Sequence, residues 1–451
     1  MTKRTKTQPR VWADTSHASL CALGLHLQQT GVLATLATGC TIRQKTLQYS
    51  PAQKVTMLLS GLMSGVTSLS QLNTLRSDQA LQAAFGLPGW AEQSVVSDTL
   101  SAVTEADLTA IRQATEQILR RFSRAQRHDF AASILTLDLD LSPAPASKRT
   151  EGSVRSYQGK ARTTYGRKII RVDALLQYGE TLWDDVIWGN RAECLDLVKQ
   201  AVAATEAVFG IAGEGDEVSQ AVRFTRSRIE WRMDSGWGID AVISYLLGRG
   251  YQVTSKFHTH TRIKRLAKTI TTWQPALHAG SELAVAPDPV VFERPVQQVV
   301  VRTPSTTKDG GYAYTVFFSS RTDLSSTQLL AHYDERAGIE ADLKSDKRGL
   351  GMAPIRKHCL AAQRLIVLLI DLAHNILTWA RAWLGAFQPR LASFGMVRLV
   401  RDIWGIPGRV KIKEGSIHRI HLRDGYPHAD TLTSLVDALL RDDIPAFLGQ
   451  T

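Results

Sequence analysis

The sequence predicts an α+β fold: a mixed α/β sheet preceded by a helical N-terminal region and interrupted by a second strand-rich stretch. Three observations point there. Residues 1–130 carry helical periodicity and few strand signals. At Ser133 the texture changes: residues 134–141 alternate, with leucines on one face and Asp138 and Asp140 on the other. Beyond them strand-like and helix-like runs follow one another, the order expected of a mixed sheet flanked by helices.

Taken in order, Ser50-Pro51 reads as an N-cap with proline at the first helical position, and the helix continues through residues 54–63. Gly86-Leu87-Pro88-Gly89 breaks the chain, and residues 97–119 resume a long amphipathic pattern. This 1–130 module suits DNA binding, as a helix-turn-helix, or assembly. The span 131–256 opens the sheet. Residues 169–176 and 182–188 read as strands turning at Tyr178-Gly179, and residues 191–209 as a helix. Residues 229–234 form a strand stopped by Ser235-Gly236, residues 241–248 a helix, and residues 251–254 one more strand. Residues 257–320 read as a β-rich insertion with strands at 289–292 and 312–318, and residues 321–388 as closing helices. The basic 389–451 region holds a hairpin, 409–413 and 417–422, turning at Glu414-Gly415.

A chain of 451 residues is too long for one ordinary core, so two or three domains are expected. Its 44% hydrophobic and 21% charged residues are those of a globular protein rather than a disordered one. An excess of 54 basic over 42 acidic residues gives +12, which favours a polyanionic partner, nucleic acid before membrane. The four cysteines form no C-x-x-C pair, which argues against a disulfide scaffold or a zinc site of usual spacing. His258 and His260 lack soft ligands nearby and read as non-metal residues. The basic start is followed by an apolar stretch broken by Asp14, Ser16 and His17, so no signal peptide is expected. Residues 365–384 are the most apolar run but carry Asp371, His374, Asn375 and Arg381. They read as a buried helix, with no membrane partner and a cytoplasmic location.

The densest chemistry lies at Tyr333, Arg336, Glu340 and Lys347. On a helix turning about 100° per residue, the last three fall within about 60° of Tyr333. One aromatic, one carboxylate and two cations then share a stripe, which suits a site handling a metal ion and a polyanion together. Asp138 or Asp140 on the first strand and Asp234 at the end of a later one would supply further carboxylates. Two Mg²⁺ ions need a few shared carboxylates and open positions for phosphate oxygens. Between Lys148 and Arg171 stand eight Lys or Arg against Glu151, among them Arg155, Arg167 and Lys168. Between Arg390 and Arg423 stand eight more against Asp402 and Glu414, among them Arg409, Lys411 and Lys413. Such clusters hold phosphate backbones through counterion release.

These residues resemble a known family. Tyr333, Arg336, Glu340 and Lys347 fit the Y-x2-R-x3-E-x6-K signature of bacterial insertion-sequence DDE transposases, closest to those with the group-one DDE domain. Arg232-Met233-Asp234-Ser235-Gly236-Trp237 is similar to that group's second-aspartate motif, residues 137–142 to its D-x-D-x-[ST] motif, and Trp188-Gly189-Asn190 to its short G-N. The resemblance covers residues 130–385. Pro143-Ala144-Pro145 departs from the Gly-rich, Gln-containing segment usual in the family. The resemblance implies an RNase H-like domain that cuts transposon ends and joins the 3′-OH to target DNA. Its metal ligands would be Asp140, Asp234 and Glu340 holding Mg²⁺, with Mn²⁺ as a substitute. Ser142 favours Asp140 as first acid, with Asp138 the alternative. Tyr333, Arg336 and Lys347 would hold phosphates near the cut end of double-stranded DNA, in a homo-oligomer, as a dimer, on two terminal inverted repeats. A DNA-binding copy that does not cut and a nuclease that cuts without joining are the rival readings.

Overall fold

The protein is described by a computed structural model over residues 11–45, 48–158, 161–189, 194–213, 218–305 and 311–441. The side chains of Val11, Ala161, Arg162, Ile339, Glu340 and Asp342 lie outside the description.

Its main sheet grows from the alternating strand, β2 (Leu135–Pro145). After a separate first strand, β1 (Val11–Thr15), the chain lays down β2, β3 (Val154–Gln158), β4 (Ala161–Ala174) and β5 (Glu180–Ile187). β4 is antiparallel to β2 on one side; on the other it pairs with β3 along its first half and β5 along its second. Gly179, at a φ of 69° that glycine adopts without strain, leads into β5. Then β6 (Ile229–Met233) pairs parallel to β2, and β7 (Gln252–Lys256) parallel to β6. The heart of the sheet therefore runs β5-β4-β2-β6-β7, with β2 at its centre. β2 is buried on both faces over residues 135–139, Asp138 included. Strands β8 (Gln274–Pro275), β9 (Glu282–Val285), β10 (Gln297–Pro304) and β11 (Tyr312–Ser319) follow. Because β11 pairs with β7, they extend this sheet instead of forming a separate one. Residues 289–292 are not a strand. Pro287, Pro289 and Pro295 cannot donate to a ladder, and the Gln298 side chain takes both backbone groups of Val290, at 2.9 and 2.6 Å.

Six helices form the N-terminal region: α1 (Ala18–Gln29), α2 (Val32–Gly39), α3 (Pro51–Met63), α4 (Gln79–Ala84), α5 (Gln93–Ser101) and α6 (Glu105–Phe122). The Ser50 cap closes as a full box with Gln53, satisfying two backbone donors that the first turn leaves orphaned. Helices α7 (Cys194–Phe209), α8 (Gln220–Ser227), α9 (Asp240–Gly248) and α10 (His260–Lys268) accompany the sheet. They are followed by α11 (Ser326–Asp334), α12 (Ala337–Gly349) and α13 (Leu360–Phe387), and near the C-terminus by α14 (Met396–Arg398) and α15 (Ala429–Leu440).

Helix α13 is the apolar run of the sequence. It has the length and hydropathy of a membrane span, yet 94% of its most apolar window is buried inside the protein. It packs against β5, α3 and α6, so the N-terminal helices share one core with α13 and the C-terminal region. The predicted tail hairpin forms as β12 (Gly408–Lys413) and β13 (Ser416–Leu422), turning through Glu414 and Gly415 at φ 54° and 79°. Its third strand, β1, has no local signal in the sequence and pairs with β12 from the other end of the chain.

Candidate active site

Two carboxylates meet where a parallel pairing ends. Leu139 lies opposite Met233 in the β2–β6 register, so the next step places Asp140 beside Asp234. On the β6–β7 side Arg232 lies opposite Thr254, and two steps on come Asp234 and Lys256, the last residue of β7. Asp140 midway along β2, Asp234 just past β6 and Lys256 at the end of β7 thus form a row across three neighbouring parallel strands. Asp234 sits just past its strand, with Oδ1 accepting the Gly236 N–H at 2.8 Å and its carbonyl accepting Ser255 Oγ at 2.9 Å. Those two bonds fix the turn after β6.

Asp138 is a different kind of residue from Asp140. Only 1% exposed, it receives Arg232 Nε on Oδ1 at 2.7 Å and Nη2 on Oδ2 at 2.9 Å, a bidentate clamp inside the sheet. Arg232 also donates to the carbonyl of His332 at the end of α11. Both oxygens of Asp138, the alternative first acid of the sequence, thus accept from a buried cation that also holds α11 to the sheet. Asp140 lies two residues further toward the surface on the same side of β2 and is half-buried.

The predicted single helical stripe is two helices. α11 ends at Asp334 and α12 starts at Ala337. The bonds Arg336 N–H to Tyr333 C=O and Gly338 N–H to Glu335 C=O, both 3.1 Å, tighten the chain between them. Even so, its residues converge on Asp140. Arg336, 7% exposed, donates Nη2 to Asp140 Oδ1 at 2.5 Å, while its buried Nε has no hydrogen-bond partner among the described residues. Lys347 donates to Ser142 Oγ at 2.5 Å, two residues along β2 from Asp140. Burial lowers the pKa of Lys347, although the nearby Asp140 opposes the shift. Tyr333 is buried edge-on against Phe317, with ring centroids 5.1 Å apart. Burial pushes its phenol up to about 12, with Arg336 pulling the other way, so it stays a neutral donor. Glu340 belongs to α12, but its side chain lies outside the described residues. Among the described residues no three His, Cys, Asp or Glu side chains gather to hold a metal.

Lys256 belongs to this site and escaped the sequence reading, which ended the strand at Thr254. Its Nζ lies 4.5 Å from the Tyr333 ring centroid and 4.7 Å from that of Phe317. Burial lowers its pKa, with Asp334 opposing and Arg336 adding to the fall. A lysine closing a parallel strand beside an aspartate-ended one is the signal that was available.

A buried network anchors α12. Arg171 on β4 donates to Asp346 Oδ2 of α12 at 2.8 Å and to Asp371 of α13. His374 of α13 meets Asp346 Oδ1 at 2.9 Å. The ion pairs tie α12 to β4 and α13 at the residue before Lys347.

The basic clusters divide. Arg155 is exposed on β3. Arg167 is 2% exposed and spends its N–H groups on the carbonyls of Glu151, Lys357 and His358, so it is a strut and not a phosphate ligand. Lys168 is 5% exposed and donates to the Tyr157 carbonyl, which likewise withdraws it from the surface. Arg167 and Lys168 are neighbours on β4 and leave opposite faces of the sheet, and each is buried on its own side. Arg409, Lys411 and Lys413 stand on β12, in the other sheet. Asn190 and Lys160 lie outside the described residues. Gly189 is packed so closely that a Cβ would meet the Gly166 carbonyl at 2.1 Å. Gly338, by contrast, has open space around it, so close approach of a neighbour does not account for it.

No protein-family model matches the chain, and no curated protein matches it. Among solved structures, a cryo-EM structure of a piggyBac transposase synaptic complex with hairpin DNA is similar over 98% of this chain and 88% of that chain. The identity is 10% and the TM-score 0.49. A likeness at this level establishes neither a shared fold nor a shared activity.

Proposed function

We propose that this chain is a DNA transposase of the bacterial insertion-sequence type, with an RNase H-like catalytic domain. It would cut transposon ends and join the freed 3′-OH to target DNA. The observation that carries the reading is the register that sets Asp140 beside Asp234 on adjacent parallel strands, with Arg336 of the α11–α12 junction bonded to Asp140 and Lys347 of α12 bonded to Ser142. Asp140 on the central strand of the order β5-β4-β2-β6-β7, with Asp234 after the neighbouring strand, supports the RNase H-like reading.

Asp140 and Asp234 are hard oxygen donors side by side on adjacent strands, which suits Mg²⁺ or Mn²⁺. They would hold it with Glu340 from α12. Bound there, the ion supplies Lewis-acid activation of water and of the phosphodiester. The protein's own part is binding and orientation. Arg336 neutralises Asp140 until a phosphate arrives, and its free Nε offers that phosphate a second N–H. Lys347 contributes a point charge beside Ser142, and Tyr333, held protonated, donates a hydrogen bond. Lys256 braces the Tyr333 ring. Two copies would act as a dimer on paired terminal repeats.

A strand-transfer assay tests the reading. With Mg²⁺ and a linear DNA bearing the flanking inverted repeats, the protein should release a 3′-OH end and join it to a target plasmid. Cutting without joining would reassign it as a nuclease. Binding without cutting would make it an inactive DNA-binding copy.

A further inference from the structure

The small sheet built from both ends of the chain has a face that the catalytic reading does not use. In β1 the side chains alternate, Ala13 and Thr15 inward and Trp12 and Asp14 outward. β12 and β13 continue both layers. Val410, Ile420 and Leu422 are buried beneath α1 and α15, while Arg409, Arg419 and His421 are exposed and Lys411 is half-exposed. The register aligns the outward residues in two rows across the strands. One runs Trp12, Lys411, Arg419, and the other Asp14, Arg409, His421.

Trp12 stands at the junction of these rows, 38% exposed. Its ring lies 5.3 Å from the His421 ring, 5.7 Å from Lys411 Nζ and 5.9 Å from the Arg409 guanidinium carbon. The single acid, Asp14, is paired with Arg409 at 3.2 Å, which leaves the rows net cationic. Beside Trp12 a concavity of about 830 Å³ opens, lined by Arg409, His421 and Arg423 and by the acids Asp14 and Asp424.

We propose that this sheet face binds single-stranded DNA, stacking one base on Trp12 and seating the adjoining phosphates on Lys411, Arg409 and Arg419. An exposed aromatic among cations on a flat sheet offers an unpaired strand both a stacking partner and a track for its backbone. A duplex keeps its base faces inside its own stack, so it would meet the cations and leave Trp12 unused. The proposal deepens the DNA-processing reading, since strand cleavage at an end exposes single strands, but it needs no chemistry at Asp140.

The test uses the full chain carrying Asp140→Asn, so that no DNA is cut, and measures fluorescence anisotropy with a labelled oligothymidine and a blunt duplex of equal length. Trp12→Ala should weaken oligothymidine binding about tenfold and duplex binding far less, with Trp12→Phe restoring most of the loss. Arg419→Ala, at a position too exposed to disturb folding, should lower the salt slope for the single strand by about 0.7. Unchanged oligothymidine affinity in both Trp12→Ala and Arg419→Ala overturns the proposal. So does an equal loss for both probes, or a loss of self-association with Trp12→Ala, which would make the face a contact between copies. A wild-type protein that binds as described but never cuts DNA would leave this surface standing and remove the transposase reading instead.

Discussion

At the residue scale, what separates Asp138 from Asp140 is depth. Both leave β2 on the same side, but Asp138 meets the buried Arg232 and Asp140, nearer the surface, meets Arg336. Truncating Asp138 to alanine removes both hydrogen-bonding oxygens from a guanidinium that is 1% exposed and leaves it only the exposed Glu335, 3.7 Å away, as counter-charge. Stability should fall by about 3–5 kcal/mol in urea unfolding; a loss under about 1 kcal/mol would show the pair to be dispensable. Lys347 gives a pH signature. Burial lowers its pKa, so it sheds its proton at a lower pH than a solvated lysine, and a phosphate ligand favours the protonated form. Affinity for a DNA end should therefore decline as pH rises toward and through that lowered value, while Lys347→Arg, always charged, stays level. Parallel curves for the two proteins would remove Lys347 from the phosphate site. Sequence alone showed these residue types and their spacing. It did not show which carboxylate was already paired, because Arg232 reaches Asp138 only through the β2–β6 register.

At the scale of elements, the helical stripe was legible by period but its break was not. Side-chain angles computed for one helix still brought Arg336 and Lys347 to the same strand, because both helices are tied to the sheet: α11 through Arg232 and α12 through Asp346. A Cβ at Gly338, in the first turn of α12, would meet no atom of the chain within 4 Å. Gly338→Ala should stabilise α12 by up to about 1 kcal/mol and leave DNA cleavage unchanged. A fall in melting temperature or in cleavage would mean the junction must flex there. The missing strand at 289–292 has its cause in the prolines around it, while Arg167 and Lys168, on opposite faces of β4, are each buried on their own side. Cationic runs in a sequence mark charge, not the side of the strand that carries it.

Across the whole molecule, the domain spans read from the sequence cut through one core. N-terminal helices pack on α13, and β1 completes a sheet with β12 and β13 near the other end. Such pairing carries no local signature, since its partners lie at opposite ends of the chain. Removing residues 1–17 should expose the edge of β12 and make the 408–422 hairpin the first site of limited proteolysis; a hairpin as resistant as in the full chain would show that β1 does not support it. The central β5-β4-β2-β6-β7 order was better signalled, because alternating leucines, a glycine turn and strand–helix–strand spacing each acted locally.

In the proposed function Asp140, Asp234 and Glu340 perform the metal-dependent chemistry and Asp138 does not touch it. The direct measurement is Mg²⁺-dependent cleavage of terminal-repeat DNA, run beside binding of the same DNA, for Asp140→Asn, Asp234→Asn and Glu340→Gln. Each variant should bind the end as the unaltered chain does and cut none of it, as the unaltered chain should when Mg²⁺ is chelated. Full cleavage by any one of the three in Mg²⁺ would contradict the assignment.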